Sequence, residues 1–212
     1  MRKENRLFHT ALALVLTLTI IAVSVVVTLG FKPLYYLDIH ALDIVEKSGY
    51  SEEVIRENYD VLIDYNLSFG DESLEFPSLT MSESGRIHFE EVKVIFNLFK
   101  YMAAAGVILS VAGIWFCGKR KEYRYLKWTS VCTVALPAVL GMLVALNWDW
   151  VFVTFHKIAF NNDYWIFDPK TDPVITILPD AFFMHCSLMI FGCVVIGSVV
   201  CGLLYRRANK SK

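Results

Sequence analysis

Hydrophobic residues in this chain fall into four long runs separated by charged segments. The runs cover residues 7–30, 101–118, 128–147 and 181–205, and the second gains apolar character from about Val92 onward. A bilayer core about 30 Å thick needs about 20 apolar residues in a helix. Because no water reaches that core, each run must satisfy its backbone hydrogen bonds as a helix. The pattern therefore predicts four membrane-spanning helices, the third with a kink at Pro137.

The composition agrees with a small polytopic membrane protein. Of the 212 residues, 56% are apolar and 19% are charged, whereas soluble chains carry about 25% charged residues. These values exclude a disordered chain, a basic nucleic-acid binder and an ordinary soluble globule. The first run is longer than the apolar core of a secretory signal peptide, which typically has about 7–15 residues. We therefore expect a retained anchor rather than a cleaved signal.

Lysine and arginine residues gather on one side of the predicted membrane. Twelve of the 20 lie in the N-terminal tail, the 119–127 loop and the C-terminal tail, accompanied only by Glu4 and Glu122. The other side carries the remaining 8 basic residues and 19 acidic ones. Cytoplasmic loops carry an excess of basic residues. The distribution predicts that both termini are cytoplasmic and that two segments are extracellular.

These expectations define an all-α membrane protein with four transmembrane helices and a small, mostly helical extracellular cap, with or without a short strand pair. In the cap, Ser51 precedes two acidic residues, as at a helix start, and apolar residues then recur near a 3.6 period over about 14 residues. The sequence is compatible with a short strand within Leu74–Met81, and Glu83–Gly85 resembles a turn. The predicted segments are a tail and first span (1–30), the cap (31–91), the second span (92–118), a cytoplasmic loop (119–127), the third span (128–147), an aromatic-rich extracellular segment (148–180), the fourth span (181–205) and a cytoplasmic tail (206–212).

The usual catalytic and metal-binding motifs are missing from the sequence. There is no GxSxG, HExxH, P-loop or dinucleotide fingerprint, which excludes the enzyme classes that need them. The five cysteines lie in or beside the predicted spans and form no CxxC pair. We therefore expect no disulfide framework, no metal site and no cofactor. Five histidines remain as candidates for chemistry.

Two of these histidines are expected at the outer membrane boundary. His88 precedes the second span, where a helix N-terminus would keep its ring neutral, and Glu91 could hold its other ring nitrogen. His156 follows the third span in an aromatic stretch. Sequence reasoning leaves open whether the two meet.

The other histidines and three polar residues have simpler interpretations. We expect His9 to be structural and His40 to be solvated, whereas His185 is either functional or caps a backbone carbonyl. Lys93, Asn97 and Lys100 form one helical stripe. The lysines either snorkel outward, contact a ligand or pair with cap acids.

Two stretches resemble the bacterial lipoprotein intramolecular transacylase family: SGRIHFEEVKVIF around His88 and FHKIAFNNDYWIFDPKTDPVITILPDAFF around His156. The resemblance extends over nearly the whole chain. It implies a bacterial plasma-membrane enzyme that moves an acyl chain from the glyceryl sn-2 oxygen of a diacylated lipoprotein to the α-amino group of its N-terminal cysteine, giving the lyso form. The implied site comprises His88 and His156 as catalytic residues, and Glu91, Phe160, Asn162, Trp165 and Phe167 as substrate-binding residues. Ala159 stands where an aromatic is expected, and Glu91 where Asp is more usual.

The resemblance also implies chemistry and partners. Our own hypothesis, beyond the resemblance, is that His156 takes the amine proton. His88 would then stabilise or protonate the oxygen as the tetrahedral centre forms and collapses, although the roles could be reversed. Asn162 or a backbone N–H could donate to the oxyanion. The implied partners are diacylated lipoproteins and membrane phospholipid, without nucleic acid, and the oligomeric state stays open.

The sequence offers three other functions, two of which are disfavoured. The main alternative is a non-enzymatic membrane assembly or binding protein that uses the cap. A bis-histidine haem protein is disfavoured because only His9 and His185 lie inside spans, near opposite faces. A transporter is disfavoured because the spans hold few charges and no repeats.

Overall fold

The computed structural model describes residues 3–210, and that part of the chain is helical without any strand. The basic residues Arg2 and Lys212, used in the orientation argument, lie outside the described residues. The helices within this range are α1 (Lys3–Gly30), α2 (Lys32–Ala41), α3 (Ile44–Ser48), α4 (Glu52–Leu67), α5 (Glu83–Lys119), α6 (Arg124–Leu146), α7 (Trp148–Ala159), α8 (Val174–Ile177) and α9 (Asp180–Lys210).

Three of the predicted spans correspond to long apolar helices. Within the described residues, the helices long and apolar enough to cross a membrane are α1 over Arg6–Gly30, α5 and α9. The third predicted span coincides with α6, which has 23 residues and carries Pro137 inside it. An all-helical chain with membrane-crossing helices is therefore confirmed, while a fourth crossing by α6 stays a prediction.

The chain divides into two compact units. The first comprises the described parts of 1–26, 99–146 and 189–212. Its helices are joined by hydroxyl groups: Thr129 donates to the carbonyl of Ala13 at 3.4 Å, and the hydroxyls of Thr133 and Thr17 lie 3.4 Å apart. Such small polar contacts hold helices together where the surroundings are apolar on every side.

The second unit comprises residues 27–98 and 147–188 and has an aromatic core. The rings of Tyr35 and Tyr59 stack with centroids 3.7 Å apart, and the ring of Phe182 packs edge-on against Tyr35 at 5.0 Å. The Tyr35 hydroxyl donates to the carbonyl of Ile177 at 2.6 Å, so this buried polar group is satisfied. The core joins α2, α4 and α8 to the start of α9.

The amphipathic helix predicted in the cap is confirmed as α4. The side chain of Ser51 accepts a hydrogen bond from the backbone N–H of Val54, as an N-cap does. Ile55, Tyr59 and Leu62 are buried on the inner face of the helix. The helix has 16 residues, close to the predicted length.

The strand at 74–81 and the turn at 83–85 were both wrong predictions. Residues 69–82 form no strand ladder. Instead, the Nδ2 of Asn58 donates to the Oγ of Ser78 at 2.6 Å. Glu83 begins α5 because Ser82 caps it: the backbone N–H of Gly85 donates to Ser82 Oγ at 3.0 Å. A capped helix start and a turn share the same small polar residues, which explains the error.

Helix α7 was not predicted from the sequence. The Asn147 side chain accepts from the backbone N–H of Trp150 at 2.9 Å and so caps the helix. The sequence predicts only an aromatic-rich extracellular segment here, and part of its aromatic content is typical of an interfacial belt. In the structure these aromatic residues lie on a helix. The helix places His156 one turn after Phe152.

Candidate active site

The rings of His88 and His156 lie together in the second unit. Their centroids are 6.0 Å apart with a tilt of 33° between the planes. His88 comes from α5 and His156 from α7, so 68 residues of sequence separate them. The open question of whether the two histidines meet is thus answered by the geometry.

His88 is buried, with 5% of its surface exposed. It lies in the second turn of α5, because the helix begins at Glu83 rather than near Val92. The helix dipole acts mainly within the first turn, so the dipole argument for a neutral ring is weaker than predicted. Its Nδ1 has no hydrogen-bond partner within residues 3–210. The expectation that Glu91 holds this ring is therefore wrong for Nδ1.

His156 has a defined tautomer. Its Nδ1 lies 2.8 Å from the carbonyl oxygen of Phe152, and because a carbonyl only accepts, Nδ1 carries the proton. In the neutral ring Nε2 is then the unprotonated nitrogen. Burial lowers the pKa of His156 below its usual 6.5, against smaller opposing effects of the Phe152 hydrogen bond and the Asp180 charge.

Glu91 is held by Asn162 rather than by a histidine. The Nδ2 of Asn162 donates to Glu91 Oε1 at 2.8 Å, and Asn162 Oδ1 accepts from the backbone N–H of Tyr164 at 3.0 Å. The second carboxylate oxygen, Glu91 Oε2, is buried without a hydrogen-bond partner in the described part of the chain. A buried acceptor without a donor is costly, about 1–3 kcal/mol.

Three predicted aromatic residues enclose the two imidazoles. Phe160, which is 4% exposed, has its ring 4.7 Å from that of His88 and 5.7 Å from that of His156. Trp165 lies 4.8 Å from the His156 ring, and Phe167 lies 5.4 Å from the His88 ring. The indole N–H of Trp165 donates to the backbone carbonyl of Asn162 at 3.1 Å. All seven site residues predicted from the sequence are therefore linked by contacts within this unit. Ala159, expected in a pocket wall, is exposed at the end of α7.

The other candidate histidines have partners of their own. His185 Nδ1 is 2.9 Å from both carboxylate oxygens of Asp38, so it holds a side chain and not a backbone carbonyl. His40 is exposed as predicted, 3.5 Å from a Glu52 oxygen. His9, in the first unit, is buried and bonded to Glu122.

Lys93 does not snorkel, in contrast to the simplest expectation. Lys93 is buried. Its ammonium group donates to the carbonyl of Gly70 at 2.7 Å and lies over the ring of Tyr65. The lysine thereby holds the loop that follows α4. Lys100 is also buried, with interactions of its own.

Sequence reasoning missed the part that Phe152, Asp172 and Gly85 have in positioning the site. Phe152 orients His156 through its backbone, and Asp172 accepts from the backbone N–H of Ser82 at 2.7 Å at the start of α5. A methyl group at Gly85 would overlap Asp172 Oδ1 and lie 3.2 Å from Phe167. A helix prediction for 148–159 would have pointed to Phe152, four residues before His156. Nothing local indicates the contact of Ser82 with Asp172, because 90 residues separate them.

Comparison with known proteins identifies the family. The family model for the lipoprotein intramolecular transacylase Lit matches residues 10–183. The chain belongs to the Lit family. It is therefore an acyltransferase of the intramolecular lipoprotein transacylase class and a bacterial membrane protein. The alternative of a non-enzymatic binding protein is set aside.

Solved Lit structures match the fold throughout. The structure of the membrane-integral Lit from Bacillus cereus has 37% identity and a TM-score of 0.95, covering 98% of this chain and 97% of that one. Two variants of the same protein, with a histidine replaced by arginine or by alanine, each have 36% identity and a TM-score of 0.89. They cover 98% of this chain and 93% and 94% of their own. The comparison with curated proteins returned no match.

Proposed function

We propose that this Lit-family enzyme moves an acyl chain from the sn-2 glyceryl ester of a diacylated lipoprotein to the α-amino group of its N-terminal cysteine. The observation that carries the proposal is the approach of the His88 and His156 rings to 6.0 Å. The paired imidazoles suit a reaction in which one proton leaves an amine and one reaches an alkoxide. The product is the lyso form of the lipoprotein.

The reaction needs positioning more than a nucleophile of the protein. Amine and ester belong to one molecule, joined through Cα, Cβ, sulfur and two glyceryl carbons, so the amine can attack the ester carbonyl directly. Approach to about 3–3.5 Å is the geometric requirement, and a rigid enclosure meets it by restricting a floppy substrate. The ring contacts of Phe160, Trp165 and Phe167 form such an enclosure.

His156 is the base in this proposal. Its Nδ1 proton is committed to Phe152, so Nε2 is the atom that accepts the amine proton. Moving a proton from an α-amine of pKa about 8 to an imidazole near 6.5 costs roughly 2 kcal/mol. The lowered pKa of His156 adds to this cost, but it keeps the ring unprotonated at neutral pH.

His88 acts on the oxygen atoms. As nitrogen bonds to the carbonyl carbon, negative charge develops on the carbonyl oxygen, and an N–H of His88 donates to it. The nitrogen loses two protons in all, one before it attacks and one as the amide forms. When the carbon–oxygen ester bond breaks, the sn-2 oxygen takes up one of them, and the other is released to solvent. Neither ring changes its protonation state over the complete cycle.

Glu91 binds the substrate ammonium before it loses its proton. The Oε2 atom is buried and accepts no hydrogen bond from the described residues, and a charged N–H donor is its best complement. Asn162 fixes the carboxylate through Oε1, and its own oxygen is occupied. We therefore assign Asn162 to orienting Glu91 rather than to the oxyanion.

The proposed setting is a bacterial plasma membrane crossed four times, with α6 as the third span in chain order and phospholipid around the helices. The basic residues of the 119–127 loop support cytoplasmic termini and a site at the outer leaflet. A cysteine introduced at Lys47 should react with a membrane-impermeant reagent in intact cells. A cysteine introduced at Lys121 should react only after lysis.

The test is expression in a bacterium that lacks this activity, followed by mass spectrometry of a reporter lipopeptide. The transfer leaves the total mass unchanged, so fragmentation must locate the acyl chain on nitrogen. His88→Ala and His156→Ala should each abolish N-acylation, while His40→Ala, a change at an exposed cap histidine, should not. Normal lyso product from either variant contradicts the assignment, and a product that has lost one chain indicates hydrolysis instead.

A further inference from the structure

The first unit contains a polar cavity of about 310 Å³. Pockets for small ligands usually have about 300–1,000 Å³. Its lining combines two cations, Arg124 and Lys127, with the aromatic Trp128 and with Tyr205 and Asn209 from α9. This set offers positive charge, hydrogen-bond donors and one apolar wall within a single space.

A buried histidine with an unused nitrogen also lines the cavity. The His9 side chain is 4% exposed, and its Nε2 lies 3.1 Å from Glu122 Oε2. Because a carboxylate accepts, Nε2 carries the proton and Nδ1 is left as an acceptor. No residue in the described range satisfies Nδ1. A ligand with a hydroxyl group would do so.

The charges favour an anion. Glu122, which is also in the lining, directs one oxygen to His9. Among the described lining residues, Arg124 and Lys127 are two cations against the one carboxylate of Glu122, so this part of the wall carries net positive charge. Arg124 and Glu122 also have other interactions within the protein. A phosphate group is the complement that two such cations recognise best.

Cations that lie over aromatic rings near the cavity indicate its depth in the membrane. Lys119 lies over the ring of Trp115 at 3.7 Å, Arg120 over Phe116 at 4.1 Å and Lys127 toward Trp128 at 6.0 Å. Tryptophan with lysine or arginine is the usual composition at the depth of lipid headgroups. A cavity at that depth meets phospholipid at high local concentration.

We infer that this cavity binds the headgroup of an anionic phospholipid with a hydroxylated headgroup such as phosphoglycerol. Lys127 and Arg124 contact the phosphate, and His9 Nδ1 accepts from a headgroup hydroxyl. Basic pockets between transmembrane helices on the cytoplasmic side are known to take such headgroups. The site is independent of the acyl-transfer site and serves to stabilise the helices that line it.

The test uses the full-length protein in lipid nanodiscs. Replacing phosphatidylcholine by phosphatidylglycerol with the same acyl chains should raise the thermal midpoint, because a ligand of the folded state stabilises it by mass action. Lys127→Gln should lose at least half of that rise. Lys121→Gln, the same charge change in the same loop but outside the cavity lining, should keep it. Tyr205→Phe removes one hydroxyl group from the cavity lining without changing the charge. It should lose part of the rise, and it replaces Lys127→Gln as the test if that variant does not fold.

Three results would overturn the inference. Equal losses in Lys127→Gln and Lys121→Gln would mean that general surface charge attracts the lipid. Equal midpoints in the two lipids would mean that no anionic headgroup binds. A full rise with soluble glycerol phosphate in phosphatidylcholine nanodiscs would assign the cavity to a free phosphate compound instead of a lipid.

Discussion

The Nδ1 proton of His156 is donated to the carbonyl oxygen of Phe152, 2.8 Å away and one turn earlier in α7. This bond decides which nitrogen can accept a proton, since in the neutral ring Nε2 is then the nitrogen with the available lone pair. It also fixes the ring plane relative to the helix. Because the backbone carbonyl holds the Nδ1 proton, His156 needs no carboxylate for that purpose.

Burial of His156 should make the protein less stable in mild acid. The pKa of the folded-state ring is lowered below 6.5, so just below that pH the unfolded chain binds more protons than the folded one. Stability then rises with pH across this window and falls as pH drops through it. The thermal midpoint should fall between about pH 7 and pH 5.5, and it should fall less in His156→Gln. Equal falls in both proteins would contradict the burial effect.

Glu91→Gln should weaken the reaction without unfolding the protein. The amide keeps an oxygen for the hydrogen bond from Asn162, but it loses the charge that we assign to the substrate ammonium. Hydrogen bonds to charged groups contribute about 1.5–3 kcal/mol, so kcat/KM should fall about 10- to 100-fold. Rates of lyso-lipopeptide formation at several substrate concentrations measure this.

Glu90→Gln is the matched control for that change. Glu90 is the adjacent carboxylate, exposed and paired with Arg86, and surface pairs of this kind contribute little. Its kcat/KM should stay at the wild-type value. A loss of the same size in both variants would show a general charge effect and remove the special role of Glu91.

Gly85→Ala should disturb the site through a close approach. The added methyl group would overlap Asp172 Oδ1 and lie 3.2 Å from Phe167 Cε1. Overpacking of this kind costs about 1–3 kcal/mol, and displacement of Phe167 also moves the ring against His88. We expect a lower thermal midpoint and a lower kcat in the lipopeptide assay. Gly118→Ala, where nothing lies within 4 Å, should change neither.

The membrane helices could be predicted from the sequence because their signal is local, whereas the set of site residues came from the family resemblance. Three apolar runs were long enough to admit one interpretation. Family resemblance then grouped His88 with His156, a pairing that spacing alone left open. The contacts of Glu91 were different from the prediction because Asn162, 71 residues away, competes for its carboxylate.

Helix α7 and the start of α5 could not be read in this way. The aromatic residues of 148–160 serve equally in an interfacial belt and in a helix, so composition did not separate the two. Ser82 and Gly85 are residues of turns as well as of helix starts. Their helical state depends on a cap from Ser82 and on a bond to Asp172, which becomes a neighbour only after folding.

The pair formed by Asp38 and His185 should be structural, and it provides a test of stability without catalysis. Asp38 is 4% exposed, and both of its oxygens lie 2.9 Å from His185 Nδ1. His185→Ala leaves the carboxylate buried without this partner. Because 30% of the His185 side chain is exposed, we expect the loss to be that of one buried acceptor left unsatisfied, about 1–3 kcal/mol. We expect a fall in the thermal midpoint with the same lyso-lipopeptide rate per folded molecule.

The double variant Asp38→Leu with His185→Leu should recover much of that loss, because two apolar side chains leave no unpaired charge. His40→Ala removes an exposed histidine from beside Glu52 and should cost less than about 1 kcal/mol. If His185→Ala instead kept its thermal midpoint and lost the transfer reaction, His185 would belong to the catalytic machinery. Thermal unfolding and lipopeptide assays on the same preparations separate the two outcomes, since a structural pair changes the first and a catalytic residue the second.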